Sequence, residues 1–437
     1  MNLFSLQTHK TQKEMVVNMK SILFKNIRAV DTKTDTRCDV LIKDGIIADI
    51  SENITESADR IVDGTKLTVI PSLFDMHVHF RDPGQTHKED VLTGCAAALA
   101  GGVTGVACMP NTSPAIDTPE IVQYIVDKAK GTGVEVYPAG CITRGMKGGE
   151  LYDHTSLGVK LLSDDGRPVA NAELMRKALE ETNKTGMLIV SHCEDLDIIN
   201  GGIINKGVVS EKLGVKGMDR ASEDSITARE IALAMSCDAR VHICHVSTKG
   251  SMEIIKDAKA RGVKVTCETC PHYFILTEEK VLAKDADYRM NPPLRTEEDR
   301  LAVMQAVIDG TVDCIVTDHA PHANEEKADF LKAPNGVVGL ETSLAATLTT
   351  LYQTGKISLN KIVELMSYNP RKLLGIDTVK FQKGQKASLA VIDTDMEWTV
   401  DPEKLHSKSH NTVFKGEKFR GKVVMTLSDG EIKYELN

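Results

Sequence analysis

Between residues 71 and 378 the apolar positions fall into short continuous runs, each followed by a longer stretch with helical spacing. The runs are "VIPSLFDMHVH", "GGVTGVACMPN", "GVEVYPAGCIT", "GVKLLSDDG", "GMLIVSHCED", "ARVHICHVST", "GVKVTCETCPHY" and "VDCIVTDHAPH". Apolar runs of this length, closed by turn residues, read as strands buried on both faces. Amphipathic stretches such as "NAELMRKALEETNK" and "GSMEIIKDAKARG" lie between them. Eight strand–helix alternations over about 300 residues fit a closed (β/α)8 barrel better than an open doubly wound sheet. No GxGxxG or GxxxxGK[ST] phosphate loop interrupts them.

The flanks have a different texture. Residues 21–70 carry "SILFKNIRAV" and "DVLIKDGIIADI", the second with Asp44-Gly45 at its centre. After about Val379 come "KASLAVID" and "TVFKGEKFRGKVVMTLSDGEIKYEL", with Asp429-Gly430. An Asp-Gly pair between apolar runs is a two-residue hairpin signal. The predicted organisation is therefore an N-terminal extension (1–20), a barrel (71–378), and one small β-sandwich built from 21–70 and 379–437.

Composition narrows the function classes. The 437 residues are 41% hydrophobic and 26% charged, ordinary values for a globular protein. A net charge of −9 with no Lys/Arg-rich block argues against a nucleic-acid surface. No apolar run approaches the roughly eighteen residues a membrane span needs. "MNLFSLQTHKTQKEMVVNMK" lacks the apolar segment of an export signal, so a cytoplasmic location is expected. The ten cysteines sit mostly inside apolar runs, as small core residues rather than a disulfide framework. "CETC" at 267–270 reads as strand, where positions three apart face opposite sides, so a shared metal or disulfide is not expected there.

The polar residues that remain fall at the C-terminal ends of the strands. They are His77 and His79 on the first, Asp164 and Asp165 on the fourth, His192 on the fifth, His245 on the sixth and Asp318 on the eighth. In a barrel these ends meet at one mouth. A single histidine there is most simply a structural residue. Several at matching topological positions, joined by carboxylates, suit Zn²⁺, and two neighbouring ions would need about six ligands with one shared. Such ions lower the pKa of water and polarise carbonyl oxygens, which indicates metal-assisted hydrolysis. His242, three residues before His245, is expected to face away and to be structural.

"DMHVHFRDPG", "MPNTSP", "SDDG", "SHCED", "CHVST", "MNPPLR", "TDHAPH" and "NGVVGLET", in this order, resemble the amidohydrolase superfamily, and within it the class I bacterial dihydroorotases. The resemblance covers nearly the whole chain after residue 20. It implies metal ligation by His77, His79, Asp165, His192, His245 and Asp318, with Asp318 also the general acid/base. It implies substrate binding by Arg81, Asn111, Asn291 and His322, and a backbone cover at Asn335 and Gly336. Two zinc ions, a homodimer and association with aspartate carbamoyltransferase follow from the same resemblance. The reaction implied is the reversible interconversion of dihydroorotate and N-carbamoyl-aspartate, the third step of pyrimidine synthesis. Dihydropyrimidinases, hydantoinases and allantoinases share the fold but act on rings without the carboxylate that Arg81 would bind, and a non-catalytic scaffold would lose ligands. Two points stay open: Lys160, carboxylated, could replace Asp165 as the bridging ligand, with Asp164 a hydrogen-bonding neighbour. The long stretch "TDHAPHANEEKADFLKAPNG" is expected to cover the occupied site, or else to be a surface loop.

Overall fold

The computed structural model describes residues 20–436, so the expected extension lies outside the described residues except for Lys20. Five strands come first: β1 (Ser21–Val30), β2 (Asp35–Lys43), β3 (Ile46–Ser51), β4 (Arg60–Asp63) and β5 (Thr68–Pro71). The barrel strands follow as β6 (Leu73–Val78), β7 (Val103–Cys108), β8 (Glu135–Pro138), β9 (Gly140–Cys141), β10 (Leu161–Ser163) and β11 (Leu188–Ser191). A short parallel pair, β12 (Ile204–Asn205) and β13 (Gly217–Met218), forms an excursion. The barrel resumes with β14 (Val241–Ile243), β15 (Val265–Thr269) and β16 (Cys314–Ile315). The chain ends in β17 (Leu389–Thr399), β18 (Lys418–Ser428) and β19 (Glu431–Glu435).

β6, β7 and β8 pair in parallel, and so do β9, β10, β11, β14, β15 and β16. β8 and β9 are two halves of one strand, interrupted at Ala139, whose N–H still bonds Cys108 O. The ring closes where Val78 bridges His319 in parallel and His79 N–H donates to His319 O at 2.7 Å. This is the expected eight-stranded barrel. Its strands read as continuous apolar runs because they are buried on both faces: β6, β7 and β11 have no exposed position. Five of the helices between them start at side-chain caps: Asp90, Thr118, Asn171, Thr248 and Thr296 each accept backbone N–H groups of the first turn.

The flanking strands make one eight-stranded sheet in the order β19-β18-β17-β5-β1-β2-β3, with β4 on β1. The sheet folds over a core shared by both ends of the chain, including Ile22, Phe24, Val40, Ile47, Leu389, Val391 and Leu427. Both Asp-Gly pairs are the hairpin turns expected. Asp44 and Gly45 have φ of 50° and 84°, Asp429 and Gly430 have 48° and 80°, the left-handed pair that a type I′ turn requires. The two turns also meet: Ala387 N–H donates to Gly45 O and accepts Gly430 N–H through its own carbonyl. A Cβ on Gly430 would lie 2.5 Å from Gly45 Cα, so glycine is required for contact as well as conformation.

Candidate active site

All six predicted ligands converge at the barrel mouth and are buried. Alternation along the strands delivers His77, and irregular backbone delivers others. Arg81, His245 and Asp318 have φ of 58°, 32° and 49°. Such left-handed geometry costs a non-glycine residue on the order of 1–3 kcal/mol and persists only where the surroundings impose it. One of those constraints is Asp75, whose buried carboxylate accepts His77 N–H (3.0 Å) and Thr317 N–H (3.1 Å) and so ties the first strand to the eighth. Burial pushes the Asp75 carboxyl up to about 6.

Asp165 is the hub. Its Oδ1 lies 3.4 Å from His77 Nε2, His192 Nδ1 and His245 Nε2, and its Oδ2 lies 3.4 Å from His79 Nε2. Asp318 Oδ1 is 3.0 Å from His79 Nε2 and 3.7 Å from His77 Nε2. Two ligands of a tetrahedral ion with bonds of about 2.0–2.1 Å stand roughly 3.3 Å apart. These spacings fit that figure, and the two oxygens of Asp165 face different imidazoles, as a shared ligand does. His77 Nε2 and His245 Nδ1 are buried without a hydrogen-bond partner. The donor set therefore fits a metal centre. Burial would raise the Asp165 carboxyl, but the imidazoles of His77, His192 and His245 overturn it and hold it well below the usual carboxylate range.

Outer partners turn three of the four rings. His77 Nδ1 meets Glu268 Oε1 at 2.6 Å, His79 Nδ1 meets Asn111 Oδ1 at 2.8 Å, and His192 Nε2 meets Glu194 Oε2 at 3.2 Å. Each contact commits one nitrogen outwards and leaves the other for the cluster. Glu268 also holds His242 Nε2 at 3.1 Å. Burial opposes its ionisation, yet His77 and His242 keep its pKa down at about 2.

Two expectations need correction. His242 does not face away: it points into the barrel beside Glu268, because the left-handed turn at His245 breaks the alternation that separated them. Asp164 is not a hydrogen-bonding neighbour of Asp165; its carboxylate accepts Ile142 N–H (2.8 Å) and the Thr143 hydroxyl, fastening the end of β9. Glu268 was missed because it sits inside "CETC", which drew attention to its cysteines. Lys160, the alternative bridging ligand, is exposed and its side chain is remote from the buried cluster.

Arg81 is 8% exposed and has no carboxylate partner among the described residues. Its Nε donates to Pro321 O at 3.2 Å, and its Nη2 lies 3.3 Å from His322 Nε2. Asp82, its neighbour, is engaged elsewhere, by Lys128 Nζ at 2.5 Å and Tyr124 Oη at 3.0 Å. His322 Nε2 reaches Asn335 O at 2.9 Å, and its pKa is driven down to about 2, first by burial and then by the charges of Arg81 and Lys88. A neutral ring that donates to Asn335 O cannot also accept from Arg81, so the guanidinium is left with free donors. Asn291 Nδ2 donates to Glu194 Oε1 at 2.9 Å. Gly336 has φ of 145°, and a Cβ there would come within 2.6 Å of Ala320 O. His272, unremarked in the sequence, is buried with Nε2 unpartnered, and burial lowers its pKa to about 4.

The chain is 48% identical over 426 residues to the dihydroorotase of Geobacter sp. (strain M21), covering 95% of this chain and 99% of the relative. It is 45% identical over 418 residues to that of Acetivibrio thermocellus, covering 94% and 98%. The chain belongs to the dihydroorotase family. A family profile described as Dihydro-orotase-like matches residues 66–251, which hold every predicted ligand except Asp318. The fold extends beyond the dihydroorotases. The L-hydantoinase (dihydropyrimidinase) from Arthrobacter aurescens superposes with a TM-score of 0.83 at 26% identity, over 95% of this chain and 96% of that one. The dihydropyrimidinase from Brevibacillus agri NCHU1002 shares the fold, with a TM-score of 0.83 at 24% identity over 94% of each chain. A dihydroorotase is a cyclic amidohydrolase, and the His/Asp cluster provides the metal-binding groups such an enzyme needs. Among the described residues, no helix is long and apolar enough to cross a membrane.

Proposed function

We propose that the chain interconverts dihydroorotate and N-carbamoyl-aspartate in pyrimidine synthesis, and that the six ligands hold two zinc ions. His77, His79, Asp165 and Asp318 would hold one ion, and Asp165, His192 and His245 the other. Zinc, when bound, supplies Lewis acidity and makes water acidic enough to ionise near neutral pH. The observation that carries the substrate assignment is Arg81, a buried guanidinium with no carboxylate of its own, within electrostatic reach of Asp318 and Asp165. A buried charge without a partner is costly, and the ring carboxylate of dihydroorotate offers charge-assisted hydrogen bonds to it. In this reading His322, Asn111 and Asn291 would contact the same substrate, and the Asn335–Gly336 backbone would cover its ring.

In the hydrolytic direction water attacks the ring amide carbonyl and the C–N bond breaks. Asp318 takes the proton of the attacking water and hands it to the departing nitrogen. Ring closure reverses both transfers through the same carboxylate. Zinc-loaded protein should turn over dihydroorotate in preference to hydantoin, dihydrouracil and allantoin in a side-by-side assay. Faster turnover of a ring without a carboxylate would refute the role of Arg81. Homodimer formation and association with aspartate carbamoyltransferase belong to the same reading, and sedimentation of the chain alone and with that enzyme checks both.

A further inference from the structure

The segment between β17 and β18 belongs by sequence to the small sheet, yet its middle lies on the barrel mouth. Ser409 Oγ donates to Lys88 O at 2.6 Å, and Ser407 Oγ donates to the buried carboxylate of Glu89. These anchors present Asn411, which is 2% exposed. Its Oδ1 accepts His322 N–H at 3.1 Å, and its Nδ2 donates to Gly336 O at 2.9 Å. Its own carbonyl accepts Val338 N–H at 3.1 Å. Beside the bond between His322 Nε2 and Asn335 O at 2.9 Å, one amide side chain thus ties the His322 backbone to the Gly336 carbonyl. Its donor and acceptor are both used, each on one of them.

We infer that Asn411 is a positioning residue for substrate binding, fixing the His322 backbone, which carries the ring, and the Gly336 carbonyl at the separation the ring-and-carboxylate substrate requires. The inference rests on the function proposed above. From the opposite side Lys327 Nζ donates to the same Gly336 carbonyl at 3.0 Å, and Gly336 N–H is taken by Arg289 O at 3.0 Å. Gly336 is therefore held through both its N–H and its carbonyl, and Asn411 links that carbonyl to the His322 backbone, alongside the direct bond between His322 Nε2 and Asn335 O. Among the described residues Asn411 makes no hydrogen bond to a member of the cluster, so its removal should alter substrate affinity and leave the metal centre in place.

Two variants separate this from a merely structural role. Asn411→Ala removes both side-chain bonds. Asn411→Asp keeps an acceptor for His322 N–H and loses the donor to Gly336 O. Losing a hydrogen bond of ordinary strength, the alanine variant should raise KM for dihydroorotate about 5- to 10-fold while kcat stays within about threefold. Zinc content per chain should match wild type. Hydrogen exchange at the His322 amide should accelerate in Asn411→Ala and stay slow in Asn411→Asp, whose KM should nevertheless rise. An unchanged KM in both variants, or a fall in kcat at constant KM, would overturn the inference. If Asn411→Ala does not fold, the aspartate variant decides it by the same KM comparison. If wild type fails to use dihydroorotate, the proposed substrate is wrong, while unaltered His322 exchange in Asn411→Ala would separately refute the positioning role.

Discussion

At the scale of single residues, the site divides into groups that face the reaction and groups that aim them. Asp318 is of the first kind. Asp318→Asn keeps the shape but cannot take a proton, so kcat should fall by about 10²–10⁴-fold in a steady-state assay. Near wild-type turnover would remove Asp318 from the proton path. Arg81→Lys keeps the charge and loses the planar fork, and should raise KM for dihydroorotate more than it lowers kcat. Glu268 is of the second kind. Glu268→Gln keeps a contact to His77 but loses the carboxylate, and should weaken zinc retention about 10- to 100-fold in competition with a chelator. The six proposed ligands were legible because each follows an apolar run and carries a metal-binding group at a strand end. His242 was not, because its inward turn goes with a left-handed residue at 245 that no alternation rule anticipates, and Glu268 was not, because it sits between the cysteines of "CETC".

Elements explain why some of the site was readable and some was hidden. Strands buried on both faces announce themselves as apolar runs, and the Asp-Gly turns announce themselves by residue type. The third strand's break at Ala139 and the brevity of β16 leave no such trace, since both depend on how neighbouring strands curve around the barrel. The connection after β16 was expected to cover the site. It lies against the mouth, held by Lys327 Nζ on Arg289 O (3.2 Å), Pro334 O (3.1 Å) and Gly336 O. Gly336→Ala tests that placement, since its Cβ would meet Ala320 O and the backbone would need a conformation costing about 1–3 kcal/mol. KM for dihydroorotate should rise as the loop shifts outwards, with a lower thermal midpoint. A variant equal to wild type in both would show that the 320–336 contact is dispensable. Asn411 had no sequence signature at all, because its partners are 89 and 75 residues away.

For the molecule as a whole, the interior charges give stability a dependence on pH. Burial lowers the Lys327 pKa from 10.5 to about 8. The nearby carboxylates of Asp287, Asp285 and Glu326 oppose that shift, and Arg289 adds to it. Between these two values the unfolded chain binds a proton that the folded chain has released, so this residue's contribution to stability rises as pH climbs from about 8 to 10.5. Lys327→Met should lose this rise, so the wild-type thermal midpoint should gain on the variant's as pH climbs from about 8 to 10.5. Identical pH profiles would mean that Lys327 stays charged in the fold.

The seam between the first and eighth strands sets a timetable for biosynthesis. Asp75 waits for Thr317, 242 residues downstream, before it can lock His77 and Asp318 together. A ribosome adding about 5–20 residues per second would leave the first two histidines outside the tunnel for roughly ten to fifty seconds before their last partner is even made. During that interval the nascent chain displays an incomplete imidazole pair to whatever cations the surroundings contain. The full donor set of the cluster therefore exists only once the codon for Asp318 has been translated.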